Sequence, residues 1–409
     1  PPESWRNLAQ GGEEPGRMLL PVVDKLKGLS PEYIRIDHVY DFYDVVKRDG
    51  GGKITYDWSK LDLTLGDILS TGAKPFISLS YTPKTLTDGE ITDLPRDWGE
   101  WERLVAATVE HISGGGGLGI ANVYYEVWNE PDLFGKFKVR GQKNYLTLYL
   151  HTVRGATRAQ NVSNFKIGGP ATTALYENWF KSLLNFVQEN SLRLDFFSWH
   201  RYSKEMDVYE KDVLNVKKWL ADYPAYGDIE LIISEMGPNS ENDKVYDSDF
   251  GAIHVLAAET VMDGELDRIF AFEIKDGPGS EKFWGRWGIL THEKFGAPEP
   301  KPRYLALEFL NRMLGNKVNI AGEGSWVKAT ARERGSVVRT LVVNYDPSGS
   351  HTEAVPLTFL NLRSPNFTFR RINFGGGVEE LQVATTSSSW STLERFSANS
   401  AAIIEIIPR

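Results

Sequence analysis

The stretch VYYEVWNEPDLF, Val123–Phe134, decides the fold. Its first half, Val123, Tyr124, Tyr125, Val127 and Trp128, is β-branched or aromatic and follows a glycine-rich loop, which is the pattern of a buried strand. Asn129, Glu130 and Pro131 then end the run, and Pro131 biases Glu130 away from helical geometry. A carboxylate displayed at the end of a buried strand is where a parallel α/β protein carries its chemistry. The bland alternative is a surface acid that opens a turn.

Working outward, further apolar runs of the same kind are predicted as strands at Trp5–Gln10, Tyr33–His38, Phe76–Ser80, Phe165–Pro170, Leu194–Tyr202, Ile229–Pro238 and Arg268–Ile274. Helical spacing predicts helices between them, among them Ser59–Ser70, one opening near Asp97, Gln142–Gln160, Glu177–Glu189, Phe250–Met262 and a last one at Tyr304–Leu314. Strand and helix alternate about eight times, the pattern of a closed (β/α)₈ barrel. A doubly wound open sheet is the rival, and it ordinarily announces a nucleotide by a glycine-rich first turn that the segment after Gln10 does not supply. The loop DFYDVVKRDGGGKITYD, with Asp41, Tyr43 and Asp44, is long enough to be functional rather than a connector. Gly114–Gly117 reads as a flexible turn, because no phosphate-cradle sequence follows it. After Gly315 the text changes to short β segments such as VVRTLVVNY and AAIIEII. The expected division is a barrel over residues 1–316 and an accessory β-sandwich over 317–409.

Composition narrows the function. The 409 residues suit one large domain and a smaller one, and the net charge of −9 without a basic tract argues against nucleic acid. There is no run of apolar residues long enough for a membrane span. Pro1, Pro2 and Glu3 read as the start of a mature or trimmed chain, so a secreted or extracytoplasmic location is the expectation. Without cysteine there is no disulfide framework, thiolate nucleophile or cysteine-based metal site, and the histidines show no metal-binding spacing. No metal or other cofactor is expected. No G-x-S-x-G elbow is present for serine-based hydrolysis. The 12 tryptophans fit either a ring-rich core or sugar stacking, with Trp98 and Trp101 read as core and Trp199, Trp284 and Trp287 as stacking candidates.

The seventh predicted strand ends in Ser234-Glu235-Met236-Gly237-Pro238, so a second glutamate follows a buried run and precedes a breaker. In a closed barrel the C-terminal ends of strands four and seven open onto one cleft. Glu130 and Glu235 can then flank a scissile bond, the arrangement glycoside hydrolysis requires.

WNEP followed by ISEMG resembles the retaining glycoside hydrolases of clan A, and the chain is most similar to glycoside hydrolase family 39, which holds β-xylosidases, α-L-iduronidase and exopolysaccharide hydrolases. The likeness runs through YIRIDHVYDFYD, DWGEWERLVAATVEH, FKIGGPA, DFFSWHRY and KPRYLALEFLNRMLG. It implies that Glu130 is the acid/base, Glu235 the nucleophile, and Asn129 the partner of the sugar hydroxyl beside the anomeric carbon. It implies that His200 and Tyr202 line the glycone pocket. His38 falls one position from the family's Arg-x-His histidine, with Asp41 in the loop beyond as a further substrate contact, and Arg35 is read as structural. Xylosidase members carry a tryptophan in strand eight and a His-Gly-Gly-Phe-Gly loop. Here Phe272 and Trp284-Gly285-Arg286-Trp287-Gly288 stand in their place, so these rings are candidate contacts and pentose specificity does not carry over. Glu273 and Lys275 read equally as substrate contacts or a buried ion pair. The expected partner is a carbohydrate, a β-linked oligo- or polysaccharide cleaved with double displacement. A carbohydrate-binding protein on a silent barrel and a transglycosylase are the alternatives.

Overall fold

Eight parallel strands, Asn7–Gln10, Tyr33–Ile36, Lys74–Ser78, Val123–Glu126, Phe165–Thr172, Phe196–Tyr202, Glu230–Gly237 and Arg268–Phe272, close into a barrel in chain order. The structure is a computed structural model that describes residues 3–409, so Pro1 and Pro2 lie outside the described residues. Helices cover the outside. Trp98–Ser113 starts where Asp97 accepts the Glu100 N–H at 2.9 Å, and Tyr145–Arg158 starts where Asn144 accepts that of Leu146 at 2.8 Å. No helix among the described residues is long and apolar enough to cross a membrane.

Several strands stop earlier than their apolar text, and for two of them the backbone shows why. The second ends at Ile36 and the fourth at Glu126, because His38 (φ 53°) and Trp128 (φ 75°) take left-handed backbone that a ladder cannot continue. The long loop after the second strand folds into a small hairpin, Val46–Arg48 against Ile54–Tyr56, which its glycine-rich centre had concealed.

Alternation along the strands sorts side chains between the barrel interior and the helices. Ile34, Ile36, Ile77, Tyr125, Phe197 and Ile233 face the helices and join the main core. Ala9, Tyr33, Phe76, Tyr124, Phe196, Ile232, Phe270 and Phe272 face inward and form a separate cluster. Phe76 stacks on Tyr124 with centroids 5.1 Å apart and meets Phe270 edge-on at 4.8 Å. Such pairs add about 0.5–1.5 kcal/mol each beyond their burial. The lower interior is thus a plug of rings.

The seventh strand breaks the alternation. Trp199 pairs with Ile233 but His200 pairs with Glu235, and on the other side Ile269 pairs with Ile233 but Ala271 with Met236. One residue, Ser234, is extra relative to both neighbours, a β-bulge. Ile232 faces inward, so regular alternation would turn Glu235 out toward the helices. The bulge returns it to the interior, level with His200.

Beyond the barrel, an antiparallel sheet of six strands runs in the order Asn316–Val318, Val327–Arg334, Val337–Asn344, Ser400–Pro408, Asn366–Asn373 and Val378–Ala384. Period-two alternation gives this sheet two buried faces. Leu341, Val343, Tyr345, Ala401 and Ile403 belong to the same core as the barrel helices. Val342, Ala402, Ile404 and Ile406 form a second core with Val355, Leu357, Phe359 and Trp390 of a two-stranded sheet, Glu353–Phe359 with Trp390–Phe396. The helix Asp249–Met262 lies between barrel and sheet and is buried on almost every side.

Candidate active site

The fourth strand is continued by a kinked segment that holds Glu130 in place. Trp128 is fully buried against Tyr81, Trp101 and Phe137, and its indole N–H reaches the carbonyl of Phe134 at 3.0 Å. Ser78 donates to the Trp128 carbonyl at 2.9 Å. Glu130 itself has φ 45°, its N–H bonds the Ala171 carbonyl at 3.0 Å, and its own carbonyl accepts from Leu133 and Phe134. Pro131 does exclude the right-handed helical region, but the chain leaves it through the left-handed one.

Glu130, His200 and Glu235 converge, with one polar atom of each within 4.8 Å of the others. His200 Nδ1 lies 2.9 Å from Glu130 and 3.3 Å from Glu235. Tyr202 donates to Glu235 at 2.7 Å. Arg35 reaches up from the second strand to donate to Glu126 at 2.7 Å, Glu235 at 2.8 Å and the Asn129 amide oxygen at 2.7 Å. The Asn129 amide nitrogen donates to Tyr81 at 2.9 Å. Both ends of that amide are therefore fixed by partners.

Burial holds the Glu235 carboxyl above the ordinary carboxylate range; His200 and Arg35 pull it down, while Glu130 and Asp37 push it up. Burial works against charge on His200, yet Glu235 and Glu130 hold its pKa above the usual histidine value. The same holds for Arg35, which burial opposes and Glu126 and Glu235 sustain. Tyr202 stays a donor, because burial and then the Glu235 charge raise it well beyond its normal value. The permanent positive charge in the cluster is that of Arg35.

The remaining predicted residues divide. His38 lies at the rim, stacked on Phe42 at 4.2 Å and edge-on to Tyr81 at 4.7 Å, with Asp41 2.7 Å from its Nδ1. It fits there because residue 12 is glycine: a Cβ would come within 2.1 Å of the ring. Phe272 meets Tyr202 edge-on at 6.3 Å and Trp287 at 5.4 Å, so a wall of rings runs from Glu235 to the rim. Arg286, paired with Glu13, lies over Trp287 at 3.5 Å. Trp284 stands apart, packed on Gly279 with Arg286 between it and Trp287. Trp199 is not a stacking platform. It faces the helices, fully buried, with its indole bonded to Asp212 at 2.9 Å. Glu273 accepts from Gln10 and the Gly11 N–H, and Lys275 pairs with Glu293 and Glu14, so both find partners within the protein.

Three participants escaped the sequence reading: Glu126, Tyr81 and Asp37, with Arg35 taken as merely structural. The signal was present in Tyr33-x-Arg35-x-Asp37 and Tyr124-x-Glu126, where an inward ring is followed by an inward charge.

Fold and site together define an α/β barrel with a pair of carboxylates at the C-terminal ends of its strands. The family model for glycosyl hydrolases family 39 matches residues 20–249, and the chain belongs to that family. A β-xylosidase of Caldicellulosiruptor saccharolyticus is 26% identical over 327 residues, 72% of this chain and 64% of that protein. One from Geobacillus stearothermophilus is 25% identical over 332 residues, 73% and 64% of the two chains. The chain thus spans 64% of the length of the curated relatives it matches. Among solved structures, the family-39 enzyme of Xanthomonas axonopodis pv. citri superposes with a TM-score of 0.78 at 21% identity, covering 98% of this chain and 94% of the other, a likeness of fold.

Proposed function

We propose that the protein is a retaining glycoside hydrolase acting on a β-linked oligo- or polysaccharide. The observation that carries this reading is the approach of Glu130 and Glu235 to within 4.8 Å, oxygen to oxygen, in one buried cluster. Retaining enzymes hold their carboxyl groups about 5–5.5 Å apart, whereas inverting enzymes leave room for a water between them. Family membership supports a glycosidase, and the name of the β-xylosidase relatives supports a β-glycoside.

In this reading Glu235 attacks the anomeric carbon while Glu130 gives its proton to the departing glycosidic oxygen. The bond to the aglycone breaks and a glycosyl ester on Glu235 forms. Glu130 then takes a proton from water, the water oxygen bonds the anomeric carbon, and the ester bond to Glu235 breaks. Arg35 and Tyr202 aim the nucleophile through two hydrogen bonds, and Asn129, fixed by Arg35 and Tyr81, presents a free amide hydrogen to the adjacent sugar hydroxyl. Phe272, Trp287 and Tyr202 offer rings to apolar sugar faces. A polymeric substrate would put the enzyme outside the cytoplasm, which fractionation of the source cells tests.

The decisive experiment is a 2-deoxy-2-fluoro β-glycoside with a dinitrophenyl leaving group, which slows release of the ester. Peptide mapping should find the sugar on Glu235. Labelling of another residue, or turnover with inversion by NMR, would overturn the mechanism.

A further inference from the structure

Asp37 follows Tyr33 and Arg35 at two-residue steps, so the three face the same barrel interior at rising levels. Tyr33 lies in the ring plug and Arg35 at the level of Glu126 and Glu235. Asp37 is one step nearer the mouth, close enough to Arg35, His200 and Glu235 to interact with their charges. Its residue is 6% exposed, and its Oδ1 is buried with no hydrogen-bond partner among the described residues. A buried acceptor left bare is costly, and such atoms call for an explanation. Two more unpartnered buried atoms, His200 Nε2 and Asp41 Oδ1, belong to side chains of the same pocket.

The basic side chains nearby are already engaged. Arg35 serves Glu126, Asn129 and Glu235; His38 faces Asp41; His200 lies between the two catalytic carboxylates; Arg286 pairs with Glu13. Among the described residues, the arginines beside Asp37 and Asp41 are all paired, so the bare carboxylate oxygens face no unpaired guanidinium or ammonium group. That suits hydroxyl groups, which can donate, and opposes a glycone bearing its own carboxylate.

Resting on the glycosidase reading above, we propose that Asp37 is a specificity residue: its carboxylate accepts a hydroxyl of the glycone, and it turns away uronic acid glycones. The test uses 4-nitrophenyl β-D-xyloside and β-D-glucoside, the 3- and 4-deoxy analogues of whichever turns over faster, and the β-D-glucuronide. In the wild type, one deoxy analogue should lose about 10- to 100-fold in kcat/KM, the worth of a hydrogen bond to a charged group. In Asp37→Ala that analogue and its parent should react alike. In Asp37→Asn, which keeps the shape and loses the charge, glucuronide activity relative to glucoside should rise by about tenfold or more. If Asp37→Ala does not fold by thermal unfolding, Asp37→Asn carries the deoxy comparison as well. Deoxy sensitivity unchanged in the variants, or an unchanged glucuronide-to-glucoside ratio, overturns the proposal alone. Failure of the wild type to turn over either parent glycoside overturns the reading beneath it.

Discussion

Below Arg35 the barrel interior is a stack of rings, Tyr33, Phe76, Tyr124, Phe196 and Phe270; above it the same strands carry Glu126, His200, Tyr202 and Glu235. The lower level is buried throughout and the upper one mostly so, with Tyr202 half-buried, but they are buried for different ends. The rings gain from burial and from one another. The charges do not, since a buried Arg35–Glu126 pair repays its desolvation only with good geometry, and a hydrophobic replacement of both often holds the fold as well. What the upper level gains is aim: Arg35 fixes Asn129 and Glu235 at once. A barrel interior can therefore be read by level, stability at the bottom and chemistry at the top.

The largest expected effect is that of Glu235→Gln, a fall in kcat of roughly 10⁴- to 10⁶-fold, as for other nucleophile removals. Its thermal midpoint should stay near the wild type, and a large drop there would erase the distinction between levels. Glu130→Ala should cost about 10²- to 10⁴-fold on alkyl glycosides, which need a proton donor, and far less on dinitrophenyl glycosides. Equal losses would remove the acid role. Phe76→Ala, in the ring plug, should lower unfolding free energy by about 3–5 kcal/mol in urea titration while leaving kcat/KM nearly intact in the folded protein. Loss of activity without loss of stability would reverse the assignment of the lower level. The smallest change is in pH dependence. His200 lowers the Glu235 pKa against burial, so in His200→Gln that pKa rises and the nucleophile ionises only at higher pH. The acid limb of kcat/KM should shift upward; a fixed or lowered limb would disconnect the two groups.

Much of this was legible in the text. The eight strands and the helix Glu177–Glu189, to the residue, follow from periodicity, whereas the placing of His200 and Tyr202 in the pocket came from the family resemblance. The site was legible where a breaker marks a strand end, as Pro131 does after Glu130. Arg35 does lie inside the barrel as read, but its three partners, which come from two other strands, could not be seen in the sequence because they meet only in the closed fold. Trp199 was misjudged: a ring near a strand end says nothing of which face it takes, and parity with Phe197 sends it to the helices. The hairpin at Val46–Tyr56 was hidden by its short strands and glycines.

The bulge at Ser234 has a consequence for how this chain can change over time. Apolar residues of the seventh strand can be exchanged one for another with little effect on where Glu235 points, because direction there depends on counting rather than on identity. Removal of a single residue between Ile232 and Glu235 would restore regular pairing with both neighbours and turn the carboxylate onto the helices. The position of the nucleophile is thus tolerant of substitution and intolerant of length, like a reading frame.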